Sequence, residues 1–340
     1  MEALQIMPRQ ANYPLSRSYA DDAQVIEMLP KVHSKNPLQF IEANTKEVDY
    51  YHIKNECVIP VFSKDNEVTI SHTNFIETVQ EAISRVLPNV YINAPDIRVS
   101  HLIKGRTPEA LHKKVEELQD KDRTLYYERM AFVIEIPSIY DTIEGNRLNL
   151  TVGGVRAYNH ENLFSRKTFE KFKIFIGIKN MVCCNMCIST NGYKTELRAV
   201  DCQQILIQSI ELFQKYNAME QLQLLNSLGT YRLTEHQFAQ LVGKTRLYQC
   251  LPPNQKRELP VMEFGDGQLN IIVRNYYHDK SFCRNSDGSI NLWRVYNLFT
   301  EANKNSYIDT FLDRSVNATD FLNGISCALQ GNPDYQWFIN

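Results

Sequence analysis

The residues best suited to chemistry lie in one stretch near the middle of the chain, where cations and aromatic side chains are interleaved. Between Gly145 and Asn180 there are seven Lys or Arg and two Glu, a local charge of +5 in a chain of formal net charge −2. Lysine and arginine neutralise phosphates and release their counterions, while aromatic rings stack on unpaired bases. The pattern therefore predicts a single-stranded nucleic acid as the ligand.

The candidate binding residues fall into two groups by the role that their side chains would have. The cations that would hold phosphates are Arg147, Arg156, Arg166, Lys167, Lys171 and Lys173. Two further residues, Tyr158 and His160, would stack on bases or bond to their edges. The alternative interpretation is a solvated sheet face without a ligand. The prediction depends on the cations pointing into one concavity.

Short motifs for nucleotide and metal chemistry are incomplete in this sequence. Gly243-Lys244-Thr245 resembles the end of a phosphate-binding loop, but Phe238 stands where that loop needs a glycine. Gly153-Gly154 lacks the other glycines of a dinucleotide fingerprint and indicates a bulge or a close backbone approach. Cys184 and Cys187 form a Cys-x-x-Cys pair with no second pair at zinc spacing, which favours buried structural cysteines. We therefore predict neither a metal nor a cofactor.

Catalytic motifs are also incomplete. One class of metal-dependent nuclease requires an acidic residue two positions before a lysine. No lysine in this sequence has one. Tyr277 stands three residues before Lys280, as in strand-nicking enzymes, but the metal-binding histidine pair of those enzymes is missing. The sequence thus predicts no catalytic residue and favours a non-enzymatic role. An enzyme acting on a nucleotide or nucleic acid stays open as an alternative.

Composition narrows the class of protein further. Apolar residues make up 43% of the chain and charged residues 22%, too apolar for a disordered chain and too polar for a membrane bundle. The eight cysteines are ordinary usage for a reducing compartment. The first residues lack the basic and apolar regions of an export signal. We expect a cytoplasmic protein without a membrane partner.

Runs of β-forming residues predict a mostly antiparallel meander sheet. The main strands are expected at 126–137, 148–158, 172–190 and, after the turn Asn191-Gly192, at 193–200. Shorter strands are expected at 53–62, 68–70 and 97–103.

Helical spacing predicts a long helix over 201–229, capped by Asp201, that covers this sheet. Other helices are expected at 73–87, 107–118, 234–243, 267–277, 289–302, 307–311 and 317–328. The fold class is therefore α+β with a helical C-terminal region. The expected organisation is a polar leader at 1–35, a core domain at 36–250, a linker at 251–260 and a helical region at 261–340 packed on the core.

Three segments resemble a bacterial family of phage/plasmid-like proteins of unknown function. They are Leu150–Tyr158, Phe175–Asn185 and Trp293–Thr300, and the resemblance spans roughly residues 40–320. It implies a mobile genetic element as the setting. The order of three strand segments followed by one long helix is also similar to single-strand annealing proteins of the Rad52/RecT type, a similarity of topology only.

Alternatives remain for both the partner and the polar residues of these segments. A protein-interaction module, such as a host-defence modulator or assembly factor, would use Tyr276, Tyr277, Trp337 and Phe338 as exposed contacts with a host or element-encoded protein. Homo-oligomers are also compatible with the sequence. Three asparagines, Asn180, Asn185 and Asn297, either satisfy buried backbone groups or line the same groove as Arg156.

Overall fold

A computed structural model describes residues 39–57, 69–110, 112–158 and 169–340, and its centre is an antiparallel sheet. The strands are β1 (Lys46–Glu47), β2 (Asp96–Arg106), β3 (Arg123–Ile143), β4 (Asn146–Ala157), β5 (Glu170–Asn180), β6 (Met186–Cys187) and β7 (Tyr193–Ala199). They pair in the order β1-β2-β3-β4-β5, and both β6 and β7 pair with the outer edge of β5. The predicted α+β class with a mostly antiparallel sheet is confirmed.

Helices lie on both faces of this sheet and form the C-terminal region. They are α1 (Tyr50–Glu56), α2 (His72–Val86), α3 (Cys202–Lys215), α4 (Ala218–Leu228), α5 (Glu235–Cys250), α6 (Pro253–Lys256), α7 (Asp266–His278), α8 (Leu292–Asn303) and α9 (Ile308–Leu329). A small ribbon of β8 (Arg232–Leu233) and β9 (Ile290–Asn291) joins the helical part.

The two-residue period of the strands sorts the core into two faces. Phe132, Val152 and Ile174 pack with side chains of α2 and α3 on one side, which we call the α2 face. Val133 and Phe175 pack with the first turns of α9 on the other side, which we call the α9 face. Every charged side chain on β4 and β5 is therefore assigned to one face by its position.

The paired glycines of β4 mark a close approach, as predicted. A Cβ on Gly154 would lie 2.6 Å from the ring of Phe75 in α2, and one on Gly153 would lie 2.8 Å from the ring of Phe175. Two aromatic rings therefore rest directly on the strand from opposite faces, and any larger residue here would displace one of them.

The C-terminal helices share one hydrophobic cluster with the sheet. It joins Leu148 of β4 and Ile178 of β5 to side chains of α4, α5, α7, α8 and α9. Helix α6 lies inside 251–260, and helices from both sides of that segment enter the cluster. The division of the chain at this point stays a prediction.

The three singled-out asparagines form a buried network that ties the segment after β5 to α8. Asn180 Nδ2 donates to Asn297 Oδ1 at 3.1 Å, and Asn185 Nδ2 donates to the Asn297 carbonyl at 3.1 Å. Asn297 Nδ2 donates to the Trp293 carbonyl at 2.9 Å. None of the three asparagines is exposed. They satisfy buried groups, the first of the two interpretations.

Two segments differ from the sequence prediction for identifiable reasons. The strand expected at 53–62 is wrong at its start, because Asp49 caps a helix that runs over Tyr50–Glu56; 58–62 lies outside the described residues. The helix expected from Thr107 is wrong, because the segment between β2 and β3 forms short 3-10 turns, and Val115 on its apolar face is 71% exposed.

The helix expected over 201–229 is in fact two helices. Asp201 caps the first as predicted, but Tyr216 adopts an extended conformation and Asn217 accepts from the Glu220 amide to start the second. The buried Tyr216 hydroxyl bonds to Gln221, so the break is held by a polar contact inside an apolar stripe. By contrast, the two C-terminal helices expected at 307–311 and 317–328 are one continuous helix, α9.

The asparagine network predicts a specific loss of stability. Asn297→Ala removes the acceptor of Asn180 and leaves a buried amide unsatisfied, so we expect the free energy of unfolding to fall by about 2–4 kcal/mol. Urea unfolding followed by circular dichroism measures it. Asn270→Ala, at an exposed position of α7, is the control and should cost under about 1 kcal/mol. Equal losses in the two variants would contradict a structural role for the network.

Candidate functional site

The predicted binding residues lie on opposite faces of the sheet. Arg156 belongs to the α2 face, where its guanidinium packs on Phe172. Lys173 belongs to the α9 face, where it contacts Asp309 and Asp313. Lys171, two residues from Lys173 on β5, is on the same side. Three further predicted residues, His160, Arg166 and Lys167, lie outside the described residues.

Arg156 is a buried structural residue. Its guanidinium lies 4.4 Å from the ring centroids of both Tyr158 and Phe172 and is not exposed. It pairs with Glu170 and donates to the Ile70 carbonyl, while Glu170 accepts from the Ile70 amide at 3.1 Å. The pair thereby holds both backbone groups of Ile70, just before α2. In this structure Arg156 does not present its charge to a phosphate at the surface.

Tyr158 is also part of the core. It is 2% exposed, and its ring centroid lies 4.7 Å from that of His72. His72 is buried with its Nε2 2.8 Å from the Tyr127 carbonyl. Burial, reinforced by the nearby charge of Arg156, lowers the pKa of His72 to about 3. The Tyr158 ring is therefore covered by a neutral imidazole and is not a surface for base stacking in this structure.

Arg147 stabilises the distal end of the β3–β4 hairpin. It donates to Asn149 Oδ1 and to the Pro137 carbonyl, both at 2.9 Å, and stacks 4.0 Å from the Tyr140 ring centroid. These contacts lie where the β3–β4 register shifts, between Ile136 and Tyr140. Arg147 is thus far along β4 from the other predicted cations.

A different set of charges meets where β5 pairs with β7. Lys171 is directly opposite Arg198 in the ladder, and a bulge places both Thr195 and Glu196 opposite Lys173. Glu196 accepts from Arg198 at 3.0 Å and pairs with Lys171 at 3.2 Å. Hydrogen bonds from Arg198 and then from Lys171 lower the pKa of Glu196. Two partly exposed cations therefore share one ionised carboxylate.

A pocket of about 340 Å³ opens beside these charges on the α9 face. Its lining residues are Val155, Ala157, Lys171, Phe172, Lys173, Thr195, Glu196 and Asp309. Lys173 forms one wall, since its ammonium donates to the Asp309 carbonyl at 2.7 Å and pairs with Asp313. The pocket thus joins strands β4, β5 and β7 to the start of α9.

An exposed aromatic residue precedes these charges in the chain. Phe169 comes two residues before Lys171 and is 51% exposed. The side chains of Lys171 and Arg198 are 42% and 57% exposed. We call Phe169, Lys171, Thr195, Glu196 and Arg198, together with the pocket, the β5–β7 site.

The sequence prediction included Lys171 but missed Arg198 and Thr195. Both fall outside the cationic stretch that was counted, since they follow the turn at Asn191-Gly192. The predicted strand at 193–200 could have identified them. A hairpin partner of β5 must place its side chains beside those of Lys171 and Lys173.

The protein-interaction surface expected at the C-terminal end differs from the structure. Tyr276 and Phe338 are buried, Trp337 is half-buried, and Tyr277 is 48% exposed. The expectation of four exposed rings is therefore wrong. Tyr276 packs against Phe238 with ring centroids 4.1 Å apart, so it belongs to the helical core.

The described ranges contain neither a metal-binding cluster nor a membrane-spanning helix. There, no group of three His, Cys, Asp or Glu side chains is placed to hold a metal ion. No helix in the described part of the chain combines the length and apolar content needed to cross a bilayer. Cys184 and Cys187 are buried free thiols.

Comparison with known proteins identifies a family but no activity. A family model described as "Domain of unknown function, B. Theta Gene description (DUF3871)" matches residues 19–339, nearly the whole chain. No curated protein and no solved structure matches this chain.

The buried His72 predicts acid sensitivity. The unfolded chain takes up a proton on this imidazole near pH 6.5, whereas the folded chain resists it down to about pH 3. The unfolded state thus binds more protons in this window, and the free energy of unfolding falls as the pH falls through it, by up to about 1.4 kcal/mol per pH unit.

Urea unfolding between pH 7 and pH 4 tests this expectation. His72→Gln should remove up to one proton from the pH slope, while Asn270→Ala, at an exposed position of α7, should leave the slope unchanged. A slope that is the same in the wild type and in His72→Gln would show that His72 titrates normally in the folded protein.

Proposed function

We propose that this chain, which belongs to the DUF3871 family, is a non-enzymatic protein that binds single-stranded nucleic acid through the β5–β7 site. The observation that supports the proposal is that the partly exposed cations Lys171 and Arg198 meet at one carboxylate beside an open pocket, with the exposed Phe169 two residues before Lys171. The contact residues we propose are therefore fewer than the sequence prediction, and they include Arg198.

The chemistry of the site suits a flexible polyanion. A phosphate next to Lys171 and Arg198 competes with Glu196 for two cations, so the complex gains charge neutralisation and releases counterions. Phe169 offers a π face to an unpaired base. The pocket has room for a nucleotide-sized group, with the Thr195 hydroxyl and the Glu196 carboxylate as polar partners.

Lys173 has a supporting role in this proposal. Its ammonium is committed to Asp313 and to the Asp309 carbonyl, so it contributes little charge to a ligand. By joining β5 to α9 it keeps the pocket wall in place. The contacts that we propose are to phosphates and to the faces of bases. We therefore expect a weak preference for the sequence of the nucleic acid.

The setting that we propose is a bacterial mobile genetic element, with the protein acting in the cytoplasm. The resemblance of Leu150–Tyr158 and Phe175–Asn185 to phage/plasmid-like proteins supports this setting by association. Annealing of complementary strands is a specific activity within the same proposal, and the order of sheet strands before α3 and α4 is compatible with it.

Oligonucleotide binding at several salt concentrations tests the site. Lys171→Ala with Arg198→Ala should weaken binding to single strands about tenfold at low salt and reduce the salt slope by about 1 to 1.5, whatever the sequence. Fluorescence anisotropy with labelled DNA and RNA of equal length measures both quantities. The matched control is Lys54→Ala with Arg85→Ala, which removes the same charge from exposed ion pairs on α1 and α2. Equal weakening in the two double variants, or no binding by the unmodified protein, would contradict the proposal.

Neutralising the carboxylate of Glu196 should have the opposite effect on the affinity for oligonucleotides. Glu196→Gln keeps the shape of the side chain but removes the negative charge beside Lys171 and Arg198, so we expect tighter binding, by roughly threefold to tenfold at low salt. The same anisotropy titration reports it. Glu81→Gln, which removes the exposed partner of Arg85 on α2, should leave the affinity within twofold. Weaker binding by Glu196→Gln would mean that Glu196 contacts the ligand or holds the site together.

A further inference from the structure

A nucleophilic group with a base beside it lies at the C-terminal end of α1, on the side away from the β5–β7 site. His52 Nδ1 lies 2.8 Å from Glu56 Oε2, and His52 Nε2 lies 4.0 Å from Cys57 Sγ. The Tyr127 hydroxyl, on β3, lies 3.1 Å from the same Nε2. One imidazole thus connects a carboxylate to a thiol.

The hydrogen bonds assign the tautomer of this imidazole. With hydrogen on Nδ1, His52 donates to Glu56, and Nε2 is left with one lone pair, which faces the Tyr127 hydroxyl at 3.1 Å and the Cys57 thiol at 4.0 Å. A carboxylate that orients an imidazole toward a nucleophile is the arrangement by which proteins activate thiols and hydroxyls. The His52 side chain is 25% exposed and Cys57 is half-buried, so small molecules have access.

The thiol needs such a base in order to react. Burial and the charge of Glu56 raise the pKa of Cys57 to about 11, so at neutral pH the sulfur retains its proton. A base beside Sγ can remove that proton during the reaction, and Nε2 of His52 lies 4.0 Å from it.

We propose that Cys57 is a reactive thiol that exchanges with disulfides, with His52 as its base and Glu56 as the positioning residue for His52. In the exchange, His52 Nε2 takes the thiol proton as Sγ attacks one sulfur of a disulfide. A new S–S bond forms, the old one breaks, and the departing sulfur takes the proton from the imidazolium. Cys57 is oxidised to a mixed disulfide while the departing half is reduced to a thiol.

Disulfide exchange is the reaction whose requirements this cluster meets. It needs a nucleophilic sulfur and a group that accepts and returns one proton, and both are present. Among the described residues, the charged and titratable groups in contact with His52 are Glu56 and Cys57 at the end of α1 and Tyr127 on β3. The adjacent ion pair between Lys54 and Glu77 ties α1 to α2. The inference is independent of the proposed nucleic-acid binding, since it uses none of the same residues.

The test is the rate at which each cysteine of the full chain reacts with bis(2-hydroxyethyl) disulfide, a neutral probe, followed by peptide mass mapping. The rate at Cys57 should rise with pH and then level off once its base has lost its proton. Cys250, which is exposed, is the internal control for the reactivity of the probe.

Two variants separate base catalysis from simple access. His52→Gln should lower the rate at Cys57 at pH 7.5 by tenfold or more and remove the plateau, with Cys250 unchanged. Glu56→Gln should lower it less and keep the plateau. A uniform change in the rate at all pH values would indicate altered access only. That result, or a Cys57 profile that follows the profile of Cys250, would overturn the proposal.

Discussion

The ion pair between Arg156 and Glu170 is the interaction on which the arrangement of the sheet and α2 depends. It joins β4 to the first residue of β5, and through both backbone groups of Ile70 it fixes the entry of α2. Tyr158 and Phe172 enclose the guanidinium, so the pair is buried but not isolated. Removing one partner of a buried pair typically costs about 3–5 kcal/mol, since the other charge is left uncompensated. A cation that looked available for a ligand is thereby committed to the fold.

The same constraint explains why the cationic stretch divides. Charges counted along the chain have no direction, whereas a strand sends successive side chains to opposite faces. Position 156 falls on the face under α2, and position 173 falls on the face under α9. Among the described cations of this stretch, Lys179 pairs with Glu135, Arg156 lies in a buried pair, Arg147 lies at a hairpin end, and Lys171 and Lys173 line the β5–β7 site. Only the last of these leaves exposed cations sharing a carboxylate among the described residues.

Much of the architecture could be predicted from the sequence. The strands from 97 to 200, the helix beginning near Thr73 and the caps at Asp201 and Thr234 follow from periodicity and local hydrogen bonding. The failures come from tertiary contacts. Tyr216 breaks a helical pattern because it is buried with a bonded hydroxyl, and Asp49 starts a helix in a segment rich in β-forming residues. The site is harder to predict than the fold, because only the register of β7 on β5 places Arg198 opposite Lys171.

The bulge in β7 has a consequence for association between molecules. The unpaired N–H and C=O groups of an edge strand with regular spacing can hydrogen-bond to a strand of another molecule, which extends the sheet. In β7 the extra residue at Thr195–Glu196 disrupts that spacing, and Lys194 and Arg198 add charge on either side. Such an edge disfavours growth by strand addition from another chain and confines recognition there to side chains. Among the described residues, the outer edge of β7 is thereby poorly suited to pairing with another strand.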